Sequence, residues 1–497
     1  MKHFIGVDLG TQSMKGLLLS PEGKIVAEAI SEYMPDFPRP GWAENDTEQW
    51  MTALRDVIAE LKEKAGITGD EIGAMAFATQ NAAIVPIDRD GNALDKCINW
   101  LDRRSELQYA QLSEKISDQD ALPIIGSALS SSYGVTKTMW FKQNKPDIYE
   151  KAYKFVEPSA FITAHLTGEP IVDYGNAAMT MMYDVVNREW SKKILDAAGL
   201  DIEKMCEVKK AWEIAGTIRP KIAGLLGLSS ATILAVGGGD HHVGLVGSGL
   251  DVPGKVLDIA GTAEIVATYL SEPAFDETGV LGTRISTLGT YWTLEQGCIV
   301  SGGSIRWHRD TIARCSFDEM DAAAINIAPG SEGVLFLPYL QGAVTPKDIG
   351  YARGVFFGLT MNHGLPQMTH AVYEGCTFAL RDCVERMDDM GFGSEMIIGS
   401  GGGTKSRLWT QMKADMTGKP IQIVKTANST PLGAAMLAGV AQGNFKNIEE
   451  AVARLVEKGD VFEPDISKKS MYDEAYAFYR ECVSSLDESF KLYNRKK

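Results

Sequence analysis

With 497 residues, 45% of them hydrophobic and 23% charged, the chain exceeds one domain of ~100–200 residues and is expected to fold as two. Its net charge of −16 argues against nucleic acid or an anionic membrane as partner, since both select a basic footprint, and leaves a small molecule as the expected one. The seven cysteines are scattered, odd in number and never spaced as CxxC, which suits reduced thiols in a cytoplasmic protein better than disulfides or a zinc cage. No apolar run approaches the ~18 residues of a membrane span, and the start MKHFIGVDLG lacks a signal-peptide core.

In chain order, HFIGVDLGTQSMKGLLLSPEGKIVAEAI sets two apolar runs around DLGTQS and a third after SPEGK, which predicts an antiparallel meander. A helix fits residues 46–66: Trp50, Leu54, Val57, Ile58 and Leu61 share one face, Asp46 suits the N-cap and Gly66 the end. EIGAMAFATQ reads as the next strand. A second series opens near residue 232 with the buried-strand run TILAVGGGD, followed by GKVLDIAGTAEIVATYL, again two apolar runs split by a Gly-Thr turn. The likeness of GVDLGTQSMKGLLL to VLDIAGTAEIVATYL points to an internal duplication. Further on, IIGSGGGTKSRLWTQMKADMTGKP reads as strand, glycine run and helix, with Leu408, Trp409, Met412 and Met416 at helical spacing. Helices at STPLGAAMLAGVAQG and DEAYAFYRECVSSLDESFKLYN complete the chain; a stripe of Tyr472, Ala475, Tyr479, Cys482, Leu486 and Phe490 marks the last. There is no low-complexity linker, so the two domains are expected to meet in a cleft near residue 250.

Three glycine-bearing turns, each after a strand, can bring backbone amides close to phosphates. Phosphoryl transfer needs those amides, a cation, and a carboxylate to accept the proton of the attacking hydroxyl. Asp240, in VGGGDHHVGLVGSG, suits the last role, although on residues alone a helix cap before His241 stands level with it. A transition-metal site at His241 and His242 is disfavoured, because adjacent histidines seldom chelate one ion and no third nitrogen or thiolate is near in sequence. Trp100 and Asp102 read equally as packing and a cap. Lys15 offers charge to phosphates, but its strand position can equally face solvent.

Taken together, GVDLGTQSMKG, INWLDRRS, VGGGDHHVGLVGSG, IAGT at 259–262, LPYLQG followed by ARGVFFGLT, and IGSGGGTKSRLWTQMKADMTGKPI resemble the FGGY carbohydrate kinases in order and spacing. PGWAENDTEQW and YARGVFFGLT place the likeness nearest the xylulokinase branch, with glycerol kinases further off. The resemblance implies an α/β fold of two ribonuclease H-like domains of the actin and hexokinase type, 1–249 and 250–497, flanking an ATP and sugar cleft. It implies ATP and Mg²⁺ as cofactors and Asp240 as the base. Asp8 falls to the Mg²⁺ carboxylate, directly or through water; Gly10, Thr11, Gln12 and Ser13 fall to the first phosphate loop, and Gly261 and Thr262 to the second. Gly302 and Arg306 fall to the nucleotide side, Gly401, Gly402, Gly403 and Ser406 to the adenosine loop, and Gln80, Asn81, Ala82, Asp102 and His241 to the sugar side with Asp240.

The chain departs from the pattern in two places. Xylulokinases typically carry Met-His after the Gln and glycerol kinases Arg-Glu, where TQNAAIV gives Asn81 and Ala82; GERTP of many xylulokinases is GAVTP, with Ala343 and Val344. Lost polar partners change which acceptor is taken more than whether transfer occurs. The expected function is therefore a xylulokinase-like sugar or polyol kinase, with an acceptor other than the best one of ordinary xylulokinases. The alternatives are a kinase for ribulose, an erythritol- or glycerol-type polyol or a sugar acid, or a catalytically weak, nucleotide-dependent sugar-binding regulator on the same fold. A homodimer is an open expectation.

Overall fold

The predicted meander forms as His3–Leu9, Ser13–Leu19 and Ile25–Glu32, paired antiparallel. The computed structural model in which it is seen describes residues 2–425 and 428–495, apart from the side chain of Cys298. Beyond His3–Leu9 the sheet continues with Ile72–Thr79 and Ile233–Ala235, both parallel, and ends on antiparallel Ile214–Thr217. The helix Thr47–Ala65 covers one face of this sheet. Asp46 accepts from the Glu48 amide, Gly66 ends the helix in the left-handed region at φ +65°, and the predicted apolar stripe is fully buried.

A second sheet repeats the first. Trp292–Ile299, Glu264–Leu270 and Val256–Ala260 form its meander, followed by parallel Ile397–Ser400 and Ile421–Val424 and antiparallel Lys458–Phe462. Gly282–Ile285 adds one outer strand. Strand for strand, the pairing sense matches the first sheet, so the duplication suggested by two similar hairpins extends through the whole architecture.

Two helices occupy the space between the sheets. Asp240–Gly247 follows the first sheet's last central strand, and Ser429–Gln442 returns from the far end of the chain. One apolar cluster joins Phe4, Leu17 and Ala76 of the first sheet, Leu257 and Tyr269 of the second, and Leu245 and Leu437 of these helices. STPLGAAMLAGVAQG therefore belongs to the core of the first sheet as much as to the second. One glycine from each helix explains how closely the two pack: a Cβ on Gly433 would stand 2.1 Å from the Val243 carbonyl, and one on Gly247 of the facing helix would stand 1.9 Å from that of Ser429. The final helix, Lys469–Asn494, lays its predicted stripe on the second half, with Tyr479 and Tyr472 buried.

Among the described residues, Cys97, Cys206, Cys376, Cys383 and Cys482 are buried free thiols and Cys315 is a half-buried one. No helix among them is long and apolar enough to cross a membrane.

Gly433→Ala gives the packing argument a sign. In an open helix the change gains about 1 kcal/mol; here the methyl meets backbone, and denaturant unfolding should show a loss of about 1–3 kcal/mol instead.

Candidate active site

The turn between His3–Leu9 and Ser13–Leu19 is pinned from several directions. Gly10 N donates to Ser13 O at 3.0 Å, and the Tyr33 hydroxyl donates to Gly10 O at 2.6 Å and Ser13 O at 3.2 Å. The Thr11 hydroxyl accepts from the indole of half-exposed Trp100 at 2.9 Å, and the Thr11 carbonyl accepts from Asn45. Gln12 stays exposed. Gln80, expected on the sugar side, is buried and engaged with this turn: its amide donates to Asn45 Oδ1 at 3.2 Å and its carbonyl oxygen lies 3.4 Å from Thr11 Oγ1.

Asp8 and Asp240 come together through sheet register. Asp8 pairs with Ala78 on one side of the strand Ile72–Thr79, while Gly238 pairs with the same Ala78 on the other. Asp240 then opens its helix two residues later, at the carboxyl ends of parallel strands, where open α/β sheets bind ligands. Gly239, not Asp240, is the N-cap; Asp240 is the first helical residue, and its Oδ1 accepts from the His241 amide at 2.7 Å, which leaves Oδ2 as the open oxygen. Burial pushes the Asp240 carboxyl up from its ordinary value. Burial first, and then the charge of Asp240, push Asp8 up to about 7, against the partial relief of Lys15 at 4.0 Å. Lys15 thus faces a carboxylate rather than only solvent.

Asn81 and Asn176 flank the base. A Cβ on Gly239 would lie 2.7 Å from Asn176 Oδ1 and 3.1 Å from Asn81 Nδ2, and both of these buried atoms lack a hydrogen-bond partner. Such a donor and acceptor next to the base suit a ligand hydroxyl, which both accepts and donates. Ala82 has φ +52°, an uncommon conformation for a residue other than glycine. It is held by a buried frame beneath: Lys137 Nζ donates to the Ala82 and Ser132 carbonyls, and Glu157 accepts from the Ala83 amide at 3.1 Å.

His241 and His242 converge on one carboxylate from the second sheet. Glu295 takes His241 Nε2 on one oxygen at 3.0 Å and His242 Nε2 on the other at 3.3 Å. The third donor that sequence spacing did not supply is therefore present, and the three ligand atoms lie within 4.8 Å of one another. Each imidazole meets one oxygen of Glu295, and the Glu295 charge holds the His241 pKa above its ordinary value against burial. Asp102 sits elsewhere in its role. It is wholly buried, accepting from the Ala43 amide at 2.6 Å and from the Arg104 guanidinium at 2.7 Å, with Arg104 lying 3.6 Å over the Trp42 ring. Its oxygens organise the segment carrying Trp100. Ala343 is likewise packed into the second half's core near Tyr339, and Thr345 bonds Asp382; GAVTP belongs to that packing and not to the wall around Asp240.

The glycine turns of the second half meet around a cavity of 560 Å³, lined by Gly261, Thr262, Gly302, Arg306, Gly402, Gly403 and Ser406. Gly401 adjoins it at φ +85°, where a Cβ would stand 2.8 Å from the Ala260 carbonyl. The same cavity exposes Phe317, Asp318, Asp321, Tyr373 and Trp409, of which sequence reading singled out only Trp409, as a helix-face residue. The Ser316/Glu319 capping box was a readable signal for that helix start, but nothing in it announced a cavity.

A profile of the FGGY family of carbohydrate kinases, N-terminal domain, matches residues 3–247, and that of its C-terminal domain matches residues 257–442. The chain is similar to xylulose kinase of Bacillus subtilis (strain 168), at 27% identity over 482 residues, covering 97% of this chain and 96% of that one. Its fold matches the crystal structure of xylulose kinase from Rhodospirillum rubrum with a TM-score of 0.92 at 25% identity, covering 99% of this chain and 100% of that one. Gluconate kinase from Lactobacillus acidophilus gives the same score and identity, covering 99% of each chain.

The raised Asp8 carboxyl makes stability depend on pH. It ionises near 3.8 when unfolded but holds its proton to about 7 when folded, so the folded state binds the extra proton in that window and stability falls as pH rises through it. Asp8→Asn removes the titration. At pH 8 denaturant melts should find the variant more stable than wild type, by on the order of 2–4 kcal/mol, with the gap closing toward pH 4.

Proposed function

We propose a mechanism from one premise: the chain belongs to the FGGY family of carbohydrate kinases. It is an ATP-dependent sugar kinase with a small-molecule acceptor. In the proposed reaction, the acceptor hydroxyl gives its proton to the open oxygen of Asp240 as the hydroxyl oxygen forms its bond to the γ-phosphorus and the bond to the ADP oxygen breaks. The observation that carries this reading is that sheet register brings Asp8 and Asp240, each half-buried, together at the carboxyl end of the first sheet. Burial raises the Asp240 pKa above its ordinary value, which makes the ionised carboxylate a stronger base. Two of them together call for a cation. Mg²⁺, held by Asp8 directly or through water, would neutralise charge along the phosphates.

Gly10, Thr11, Gln12 and Ser13 would hold the phosphates from one domain and Gly261 and Thr262 from the other, with the adenosine in the 560 Å³ cavity. The matching profiles, which end at 247 and resume at 257, support a domain division at 249/250, with the helix Ser429–Gln442 reaching back across it. Free buried thiols support a cytoplasmic setting.

The acceptor is proposed as a small ketose or polyol, read by Asn81 and Asn176 with His241 beside the base. D-xylulose heads any panel because the Bacillus and Rhodospirillum relatives carry its name. Ala82 leaves the site open where a larger side chain would close it.

Asp240→Asn should lower kcat by about 10² to 10⁴ while ATP binding stays near wild type; turnover close to the wild-type rate would remove Asp240 from the role. For specificity, Asn81→Met with Ala82→His should raise kcat/KM for D-xylulose relative to the native acceptor, by about 1–3 kcal/mol per well-placed buried hydrogen bond. His is among the residues that tolerate the left-handed backbone at 82. Assaying ketopentoses, polyols and sugar acids in parallel decides it: a wild type that already prefers D-xylulose means this wall does not set the choice.

A further inference from the structure

A buried charge cluster lies directly behind the cavity assigned to the nucleotide. Lys413, on the helix Arg407–Thr417, is almost wholly buried, and its Nζ donates to Asp258 Oδ2 at 2.6 Å and to Glu264 Oε1. Glu264 Oε2 accepts from the Ser301 hydroxyl at 2.5 Å. None of these four side chains faces solvent, and none takes part in the mechanism above.

Their positions share one property. Asp258 and Glu264 stand on the two strands that enclose the turn of Gly261 and Thr262. Ser301 is the first residue of the helix Ser301–Trp307, which carries Gly302 and Arg306. Lys413 rides on the helix capped by Ser406, and its Nζ lies 4.0 Å from the centre of the Trp409 ring. Trp409 is itself a wall of the cavity. A Cβ on Gly403 would lie 2.5 Å from both the Trp409 ring and Ala260 Cβ, so the adenosine loop is packed against this ring with no slack. One ammonium group therefore ties together the second phosphate turn, the Gly302 helix and the aromatic wall.

We infer that Lys413 is a positioning residue for the nucleotide, fixing these three elements relative to one another through Asp258, Glu264, Ser301 and Trp409. Solvent-exposed lysine at this place would hold nothing; buried, it is, among the described residues, the one cation bonded to Asp258 and Glu264, and its removal leaves two buried carboxylates without a counter-charge. The strands, the helix and the ring then lose their common anchor while the acceptor side, built on the first sheet, is untouched. The inference rests on the nucleotide occupying this cavity.

The test compares wild type, Lys413→Met and Ser301→Ala by calorimetric titration with the β,γ-imido analogue of ATP, with KM for ATP and for the acceptor, and with the melting temperature. Lys413→Met is expected to raise the analogue's Kd and the KM for ATP at least tenfold. The acceptor KM should stay within twofold and kcat within threefold. Ser301→Ala keeps every charge and loses one bond, so it remains informative if Lys413→Met does not fold; about a threefold rise for ATP alone is expected of it. Wild-type affinity for the analogue in either folded variant overturns the inference. So does an equal loss on both substrates with a lowered melting temperature, which would mark general loosening. A wild type that fails to bind the analogue overturns the functional reading beneath it, whereas one that binds it as tightly as Ser301→Ala does overturns this inference alone.

Discussion

The structure depends on keeping two carboxylates, Asp8 and Asp240, close together and partly shielded from water. Mutual repulsion and lost hydration oppose the arrangement, and Lys15 at 4.0 Å relieves only part of it. Everything around the pair supplies rigidity against that opposition. The strand Ile72–Thr79 holds Asp8 and Gly238 on its two sides at one register position, Tyr33 and Trp100 brace the turn that follows Asp8, and the Asp240 helix is wedged against Ser429–Gln442 at contacts only glycine permits. Two carboxylates so placed repel each other, and the proposed Mg²⁺ would relieve that repulsion.

The internal repeat shows how one scaffold can carry opposite electrostatic designs. Both halves place an aspartate on the first strand of the meander, Asp8 in GVDLGT and Asp258 in VLDIAGT. In the first half that carboxylate opens toward the cleft with a distant lysine. In the second it is turned inward and bonded by Lys413, where it serves the packing of three walls. Duplication provided two glycine turns after matching strands, both proposed to hold phosphates; burial of one aspartate and partial opening of the other separate the two designs.

Much of this was legible in the residues. Period and caps located the meander strands and the helix Thr47–Ala65 to within a residue or so, because local alternation and turn chemistry decide them. The GGGD turn and the glycine runs were legible as places where backbone comes close to something, because glycine at a strand end permits that approach. Side-chain direction was not. Gln80 and Asp102 stand in motifs that suggested sugar contacts, yet each is buried and engaged with backbone or its own neighbours, and no spacing rule says which way a loop residue turns. Glu295 escaped notice because its partner His241 is 54 residues distant, and Phe317, Asp321 and Tyr373 because a cavity wall is assembled from elements that meet only in three dimensions. That Ser429–Gln442 packs on the first sheet was not legible for the same reason: nothing in its residues names a partner so far away in sequence.

That helix also sets an order of events during synthesis. The first sheet presents Phe4, Leu17 and Ala76 to a cluster whose other side arrives with Leu437 and Phe445, and Asn444 closes onto the Pro21 carbonyl across 423 residues of chain. While the ribosome is still making the second half, the first has one face of its sheet without a cover, and contacts of such sequence separation form slowly. An emerging chain in that state displays apolar surface of the kind that associates with its neighbours. The amino-terminal half is thus committed to waiting for the carboxyl-terminal one, and a nascent chain halted before residue 429 would be a substrate for chaperones rather than a finished domain.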